Sequence, residues 1–372
     1  MKILFTLLVI TLTSFGSEYG EISGRIVDKQ NLQPLESVNI YIARTTMGTS
    51  SDKNGEFTLS NIPPGRYRVI LSHLSYKNHD FEIDVRKNSK VEFFIELLPT
   101  PIEFPEISVT DKYDTEWWDN FEIFSRALLG TTWFADGCEI LNPLTISFEK
   151  DDSGSMMATS DVPIEIENRS LGYNITYLLK HFEYNFGTTK YSGYPFFEEM
   201  QSDFSEDSLV WKENRLEAYM GSLRHFLRAL SDYYMLASGK SEPDDEVEFF
   251  NRHGFHVFFN KLYQTATGER YSIKEFYTTL DVEESERPNE LVLVCGNQIQ
   301  VEYFKEYQEL NYEPQISYLK LHSDSVYFDK RGRYHDEYTI QTTGYMQKQR
   351  LAEMLPFEYE PSDSVIFESD FR

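Results

Sequence analysis

His79-Asp80-Phe81-Glu82 has the H-x-x-E spacing with which a zinc peptidase presents two metal ligands. The four residues sit in a stretch that alternates like a β-strand, where positions three apart face opposite sides. The two side chains are therefore expected to diverge, and no zinc role is expected. His253 and His256 raise the same question. "RHGFHVFF" reads as a strand, which parts the pair unless Gly254 makes a bulge, so surface or half-buried histidines are expected. His335-Asp336-Glu337, beside Arg331-Gly332-Arg333, reads as a solvated hairpin. No H-E-x-x-H, G-x-S-x-G, G-x-G-x-x-G or Walker loop occurs, and Gly221-Ser222 falls in a helical pattern. No cofactor is expected. Among 61 acidic residues some carboxylates will be neighbours by number alone, so closeness does not by itself point to glycoside hydrolysis. Cys138 and Cys295 are the only cysteines, too few for a disulfide framework or a cysteine-rich zinc site. They either pair in an oxidising compartment or stay as two separate thiols.

Two other sets of residues could carry function. Tyr191, Tyr194, Phe196 and Phe197 in "KYSGYPFFEE" could form an aromatic platform for sugars, as could Trp117, Trp118 and Trp133. Core packing is the competing reading, since buried aromatics dominate β-rich interiors. Asp52-Lys53-Asn54 could offer oxygens to calcium, but a hairpin turn explains it. Asp-Ser-apolar triplets, which some Gram-negative envelopes O-glycosylate, occur at Ser208, Ser325 and Ser364. Ser208 and Ser364 lie in polar segments and are the better candidates for a glycan; Ser325 sits beside a strand.

The elements that must position these residues can be read from periodicity. Residues 1–16 read as a secretory signal. Lys2 leads an apolar run over 3–12, and Ser14 and Gly16 are small residues before a cut at Ser17. No cysteine follows for lipid attachment. Residues 19–98 read as short strands with two-residue alternation: Ile22 and Ile26; Val38, Ile40 and Ile42; Phe57 and Leu59; Tyr67, Val69 and Leu71; Phe81, Ile83 and Val85; then Val91, Phe93, Ile95 and Leu97. Asp52-Lys53-Asn54-Gly55 and Pro63-Pro64-Gly65 are turns. The pattern predicts a compact antiparallel sandwich of seven strands. Residues 99–114 form a linker punctuated by Pro101 and Pro105.

Residues 115–372 predict a β-rich α+β domain. Trp117, Phe121, Phe124 and Leu128 make one helical face, with Thr115 or Asp114 to cap it and Gly130 to end it. A second helix is predicted over 213–236, with Leu216, Met220, Leu223, Leu227, Leu230 and Tyr234 as its stripe and Arg215, Arg224 and Arg228 off it. Further strands are predicted at 246–260, 291–304, 314–328 and 334–346.

The chain of 372 residues has 40% hydrophobic and 15% aromatic residues, enough for cores of β-rich type. Its formal net charge of -26 repels nucleic acid, whose binding rests on Lys and Arg neutralising phosphates, and argues against anionic lipid surfaces. No segment of the mature chain is long and apolar enough to span a bilayer as a helix.

The run "ISGRIVD…QPLESVNIYI…GTSSDKNGEFTLSNIPPGRYRVILSHLSY" resembles the carboxypeptidase regulatory-like family, which implies a transthyretin-like sandwich. That domain is an appendage of some peptidases and not itself a peptidase. "PEISVT" resembles the strand that closes such domains ahead of outer-membrane receptor plugs, but residues 111–372 read as neither plug nor barrel. "FEIFSRALLGTTWFADGCEILNP", "AYMGSLRHFLRAL" and "GYMQKQRLAEMLPFEYEP" resemble exported proteins that carry the same domain, and this resemblance implies no activity. The chain is thus expected to be mainly β, exported to the periplasm or surface of a Gram-negative cell, and non-catalytic. It is expected to bind or scaffold an envelope protein or polysaccharide. Two alternatives stand: a hydrolase of envelope or glycan polymers, and a carbohydrate-binding protein. A concave site with converging polar groups in the second region would favour the hydrolase, and a flat surface would favour binding.

Overall fold

The structure, a computed structural model, describes residues 19–100, 114–152, 154–238, 246–264, 270–276, 280–287, 289–296, 298–305, 315–334 and 339–361. The signal-like segment, most of the linker, His335-Asp336-Glu337 and Ser364 lie outside them. The chain is mainly β. Its contacts divide it into unit 1, Met1–Ile42 with Met47–Ile102, and unit 2, Ala43–Thr46 with Glu103–Arg372.

The described residues of unit 1 form seven strands: β1 (Gly20–Asp28), β2 (Asn39–Ile42), β3 (Gly48–Ser50), β4 (Glu56–Ile62), β5 (Gly65–His73), β6 (Tyr76–Val85) and β7 (Lys90–Leu97). They form two sheets, β4-β1-β7 and β3-β2-β5-β6. The alternating apolar positions of both sheets share one core, with Ile22, Ile26, Val38, Ile40, Val69 and Leu71 fully or almost fully buried. This is the packing that a two-residue period demands. The sandwich is not wholly antiparallel, as the sequence reading expects. β1 and β7 run parallel from Glu21 opposite Lys90 to Asp28 opposite Leu97. Alternation along a strand is blind to the direction of its neighbour, so the pattern could not reveal this.

Unit 2 begins with α1 (Thr115–Leu129), capped by the Asp114 carboxylate accepting from the Trp117 N–H at 2.9 Å. Then come α2 (Trp133–Asp136), β8 (Cys138–Ile140), β9 (Ile146–Lys150), β10 (Met156–Ser160), β11 (Ile164–Asn168), β12 (Tyr173–Asn185) and β13 (Thr188–Glu199). Three helices succeed them: α3 (Ser205–Tyr219), α4 (Leu223–Ser238) and α5 (Glu246–His253). The later strands are β14 (Phe255–Gln264), β15 (Arg270–Phe276), β16 (Asp281–Glu284), β17 (Glu290–Val294), β18 (Gln298–Tyr303), β19 (Gln315–Leu321), β20 (Ser325–Asp329) and β21 (Ile340–Gly344). The short α6 (Tyr345–Lys348) is next in the chain. A six-stranded sheet has the order β8-β11-β12-β10-β9, with β13 on the free edge of β12. A five-stranded sheet, β15-β14-β18-β19-β21, and a three-stranded one, β16-β17-β20, complete the unit. Phe124 and Leu128 of α1 and Phe226, Leu227 and Leu230 of α4 join these sheets in one core.

Five predicted segments differ from the structure. The helix predicted over 213–236 is two helices, α3 and α4. They are parted at Gly221, which has φ +74 and lies so close to the Tyr303 ring that a Cβ there would stand 2.6 Å from it. Ser222 restarts the helix by accepting the His225 N–H at 3.2 Å. Residues 246–253, predicted as strand, form α5, and His253 is its last residue. The described residues of 291–304 and of 314–328 each hold two strands, and among the described residues of 334–346 the strand is 340–344.

Candidate functional site

His79 and Glu82 lie on β6 and face opposite ways. His79 packs by Phe81, whereas Glu82 joins Asp80 in pairing with Arg68 from the neighbouring β5. Among the described residues no three His, Cys, Asp or Glu side chains gather as metal ligands. Cys138 and Cys295 are both free thiols, and burial pushes Cys138 up to about 12. Asp52 accepts the backbone N–H groups of Asn54 and Glu56, as a turn requires.

Alternation along β13 divides the four aromatic candidates. Phe197 is fully buried in the core, and Tyr191, on the same side, packs against that core. Tyr194 and Phe196 belong to the other face, where Lys180 Nζ stands 5.7 Å from the Tyr194 ring centre. The four do not make one platform. Trp117 is also core, stacked on Phe121, while Trp118 and Trp133 are half exposed. Ser208 is exposed on the first half of α3, and Ser325 lies on β20.

A cavity of about 420 Å³ opens in unit 2. One wall is the β12–β13 hairpin, with Tyr177, Thr188, Thr189, Lys190 and Tyr191. The second is the break between α3 and α4, with Tyr219, Ser222 and Arg224. The third runs through β21 and α6 into the segment ending near Phe357, and brings Gln341, Thr342, Gln347, Gln349, Arg350 and Glu353. Arg44, His322 and the turn Gly332 to Tyr334 also line it.

Arg224 builds much of this geometry. Its guanidinium donates to the carbonyls of Pro356 at 2.9 Å, Phe357 at 2.9 Å and Tyr359 at 2.7 Å, and so fixes the third wall to α4. Gly332 approaches the same place: φ is +73, and a Cβ would stand 2.1 Å from the Arg224 carbonyl oxygen, so only glycine fits. Burial lowers the Arg224 pKa and the neighbouring Arg333 lowers it further, though a guanidinium remains charged.

Three guanidinium groups surround one phenyl ring. The Cζ atoms of Arg333, Arg44 and Arg224 stand 5.3, 5.9 and 5.9 Å from the centre of Phe357. Arg333, only 5% exposed, is bound to the Asp329 carboxylate. The hairpin expected at His335-Asp336-Glu337 lies outside the described residues. Arg350 donates to the carbonyls of Ala127 and Gln347 and lies 5.8 Å over the Tyr191 ring. Lys190 Nζ is 3.4 Å from a Glu183 oxygen. Glu353 is the one carboxylate among the described residues of the lining. It accepts a 2.6 Å hydrogen bond from Thr132, and burial pushes its carboxyl above the ordinary range. Sequence reasoning noted Arg224 and Arg333 only as off-stripe and turn residues, and did not single out Arg44 or Arg350.

These features define two things: a small β-sandwich carrying no metal-ligand cluster in its described residues, and a separate unit with a cation-rich concave site. The sandwich is a CarboxypepD_reg-like domain, whose family model matches residues 22–109. Among curated proteins none matches the chain. Solved structures resemble parts of it. A cohesin–X-dockerin complex of Acetivibrio cellulolyticus is 20% identical over 21% of this chain and 56% of its own, with TM-score 0.19. The minor pilin GBS52 of Streptococcus agalactiae is 17% identical over 23% of this chain and 46% of its own, with TM-score 0.20. A Bacteroides uniformis protein proposed to bind carbohydrate is 11% identical over 44% of this chain and 61% of its own, with TM-score 0.19. The matched stretches span about half of those chains, and at these TM-scores the likeness carries no argument about function.

Proposed function

We propose that this chain is a non-catalytic exported protein of a bacterial envelope whose second unit binds a ligand. The observation that carries the reading is the cavity. At about 420 Å³ it falls within the roughly 300–1,000 Å³ of small-ligand sites. A concave site with converging polar groups is the arrangement expected of a hydrolase, and this cavity has both; the scarcity of carboxylates in its lining argues for binding. Most glycoside hydrolases place two carboxyl groups across the scissile bond, and the described lining offers Glu353 alone, which accepts a hydrogen bond from Thr132. Export is supported by Lys2, the apolar run over 3–12 and the small residues Ser14 and Gly16. The ligand of this reading is an envelope polymer or a piece of one. To test it, the mature chain is incubated with a panel of envelope oligosaccharides and peptides, with calorimetry for binding and chromatography for products. Saturable binding with every ligand recovered intact is expected. Release of fragments that is lost in Glu353→Gln would establish the hydrolase instead.

A further inference from the structure

We infer that the cavity of unit 2 is a binding site for a short acidic saccharide, a sugar chain or chain end bearing a carboxylate or a sulfate ester. This rests on the binding reading above and names the ligand class. The sign of the lining carries it. The chain has 61 acidic residues against 35 Lys and Arg. In the cavity the balance reverses: Arg44, Lys190, Arg224, Arg333 and Arg350 face one carboxylate, Glu353. Neighbours offset part of that charge, since Asp329 binds Arg333 and, with Glu360, acts on Arg224, while Glu183 lies by Lys190. The hydrogen bonds of Arg224 and Arg350 instead go to backbone carbonyls, which hold a guanidinium in place without cancelling its charge. Crowding Arg44, Arg224 and Arg333 around Phe357 costs like-charge repulsion, which a bound anion relieves. Arg224 spends most of its N–H groups on those carbonyls and contributes charge, whereas the bonds of Arg350 come from Nε and Nη1 and leave Nη2 to meet a carboxylate or sulfate oxygen.

The remainder of the lining selects a sugar over a peptide. Thr188, Thr189, Gln341, Thr342, Gln347 and Gln349 supply neutral donors and acceptors of the kind that ring hydroxyls need. Tyr177, Tyr191 and Tyr334 add aromatic surface. The net charge of -26 repels an extended polyanion, so the site suits one or two acid groups entering a cavity.

Calorimetry on the mature full chain tests this with four probes: an oligohexuronate, the neutral oligohexose of the same length and linkage, its sulfated form, and an oligoglutamate of matching charge. At least one acidic sugar is expected to bind about tenfold or more tighter than the neutral one, with affinity falling as salt rises. Whichever acidic sugar binds more tightly names the acid. Lys190→Gln is expected to weaken that binding by about tenfold at unchanged melting temperature, and Arg350→Gln to weaken it by as much while lowering the melting temperature through the lost bonds to Ala127 and Gln347. Lys212→Gln, the same charge change on exposed α3, should leave it within about twofold. Lys190 is largely exposed, so its variant reports on the site even if Arg350→Gln unfolds. Equal affinity for neutral and acidic sugars would overturn the inference while leaving a binding protein. Tighter binding of oligoglutamate would assign the site to acidic peptides and overturn it too. No binding of any probe would overturn the inference, and the wider panel of envelope oligosaccharides and peptides would then decide the binding reading.

Discussion

His253 closes α5 with its ring 6.1 Å from that of His225, and both side chains are almost wholly buried. The Gly221 N–H donates to His225 Nδ1 at 3.1 Å, which leaves the proton of the neutral ring on Nε2. Burial pulls His253 down to about 4, helped by the charges of Lys305 and Arg228, and pulls His225 well below its ordinary value. The unfolded chain titrates both near 6.5. Between 6.5 and about 4 the unfolded state therefore holds more protons. Stability is complete above pH 6.5 and is lost as pH falls through that window. For His253 the loss is at most about 3 kcal/mol. Glu353, pushed up by burial, works in the opposite sense, because its protonated form suits the fold. The net expectation is a melting temperature that declines from pH 6.5 to 4 and a shallower decline in His253→Phe. An equally steep decline in that variant would assign the effect to other groups. None of this was legible in "RHGFHVFF", where His253 reads as a strand residue paired in sequence with His256. Its partner lies 28 positions away on another helix, and only the tertiary fold brings the two together.

Among the elements, those governed by local rules were the readable ones. Asp114 caps α1, Gly130 ends it, and Trp117, Phe124 and Leu128 of the predicted stripe are buried. The alternating strands of residues 19–98 bury the residues that their period selects. Where two rules compete, periodicity misleads. Leu216, Met220, Leu223 and Leu227 continue a helical stripe across the break, so the glycine between them looks tolerable. Its φ of +74 and the Tyr303 ring decide otherwise. Gly221→Ala should cost about 2–3 kcal/mol, read as a lower urea midpoint at unchanged slope. A neutral result would mean that the α3–α4 junction can straighten. The walls of the cavity could not be foreseen in this way. Its cations come from positions 44, 190, 224, 333 and 350, each in a different local pattern, and no periodicity relates them.

At the scale of the whole chain, unit 1 has its own core and a complete set of paired strands. Residues 19–98 expressed alone should melt in one cooperative transition with a β signature. The same fragment ending at residue 89 should not, because β1 loses its parallel neighbour over eight residue pairs. A cooperative melt of the shorter fragment would show that β7 is dispensable. The position of β1 also sets a timetable. It is the first strand to be made and the middle strand of its sheet, and its last partner, β7, arrives about 70 residues later. A chain that emerges from its N-terminus onward thus keeps β1 waiting until nearly the whole unit has been delivered. The sheet of β1 cannot close before β7 has been made, so synthesis and closure are separated in time by the strand order itself.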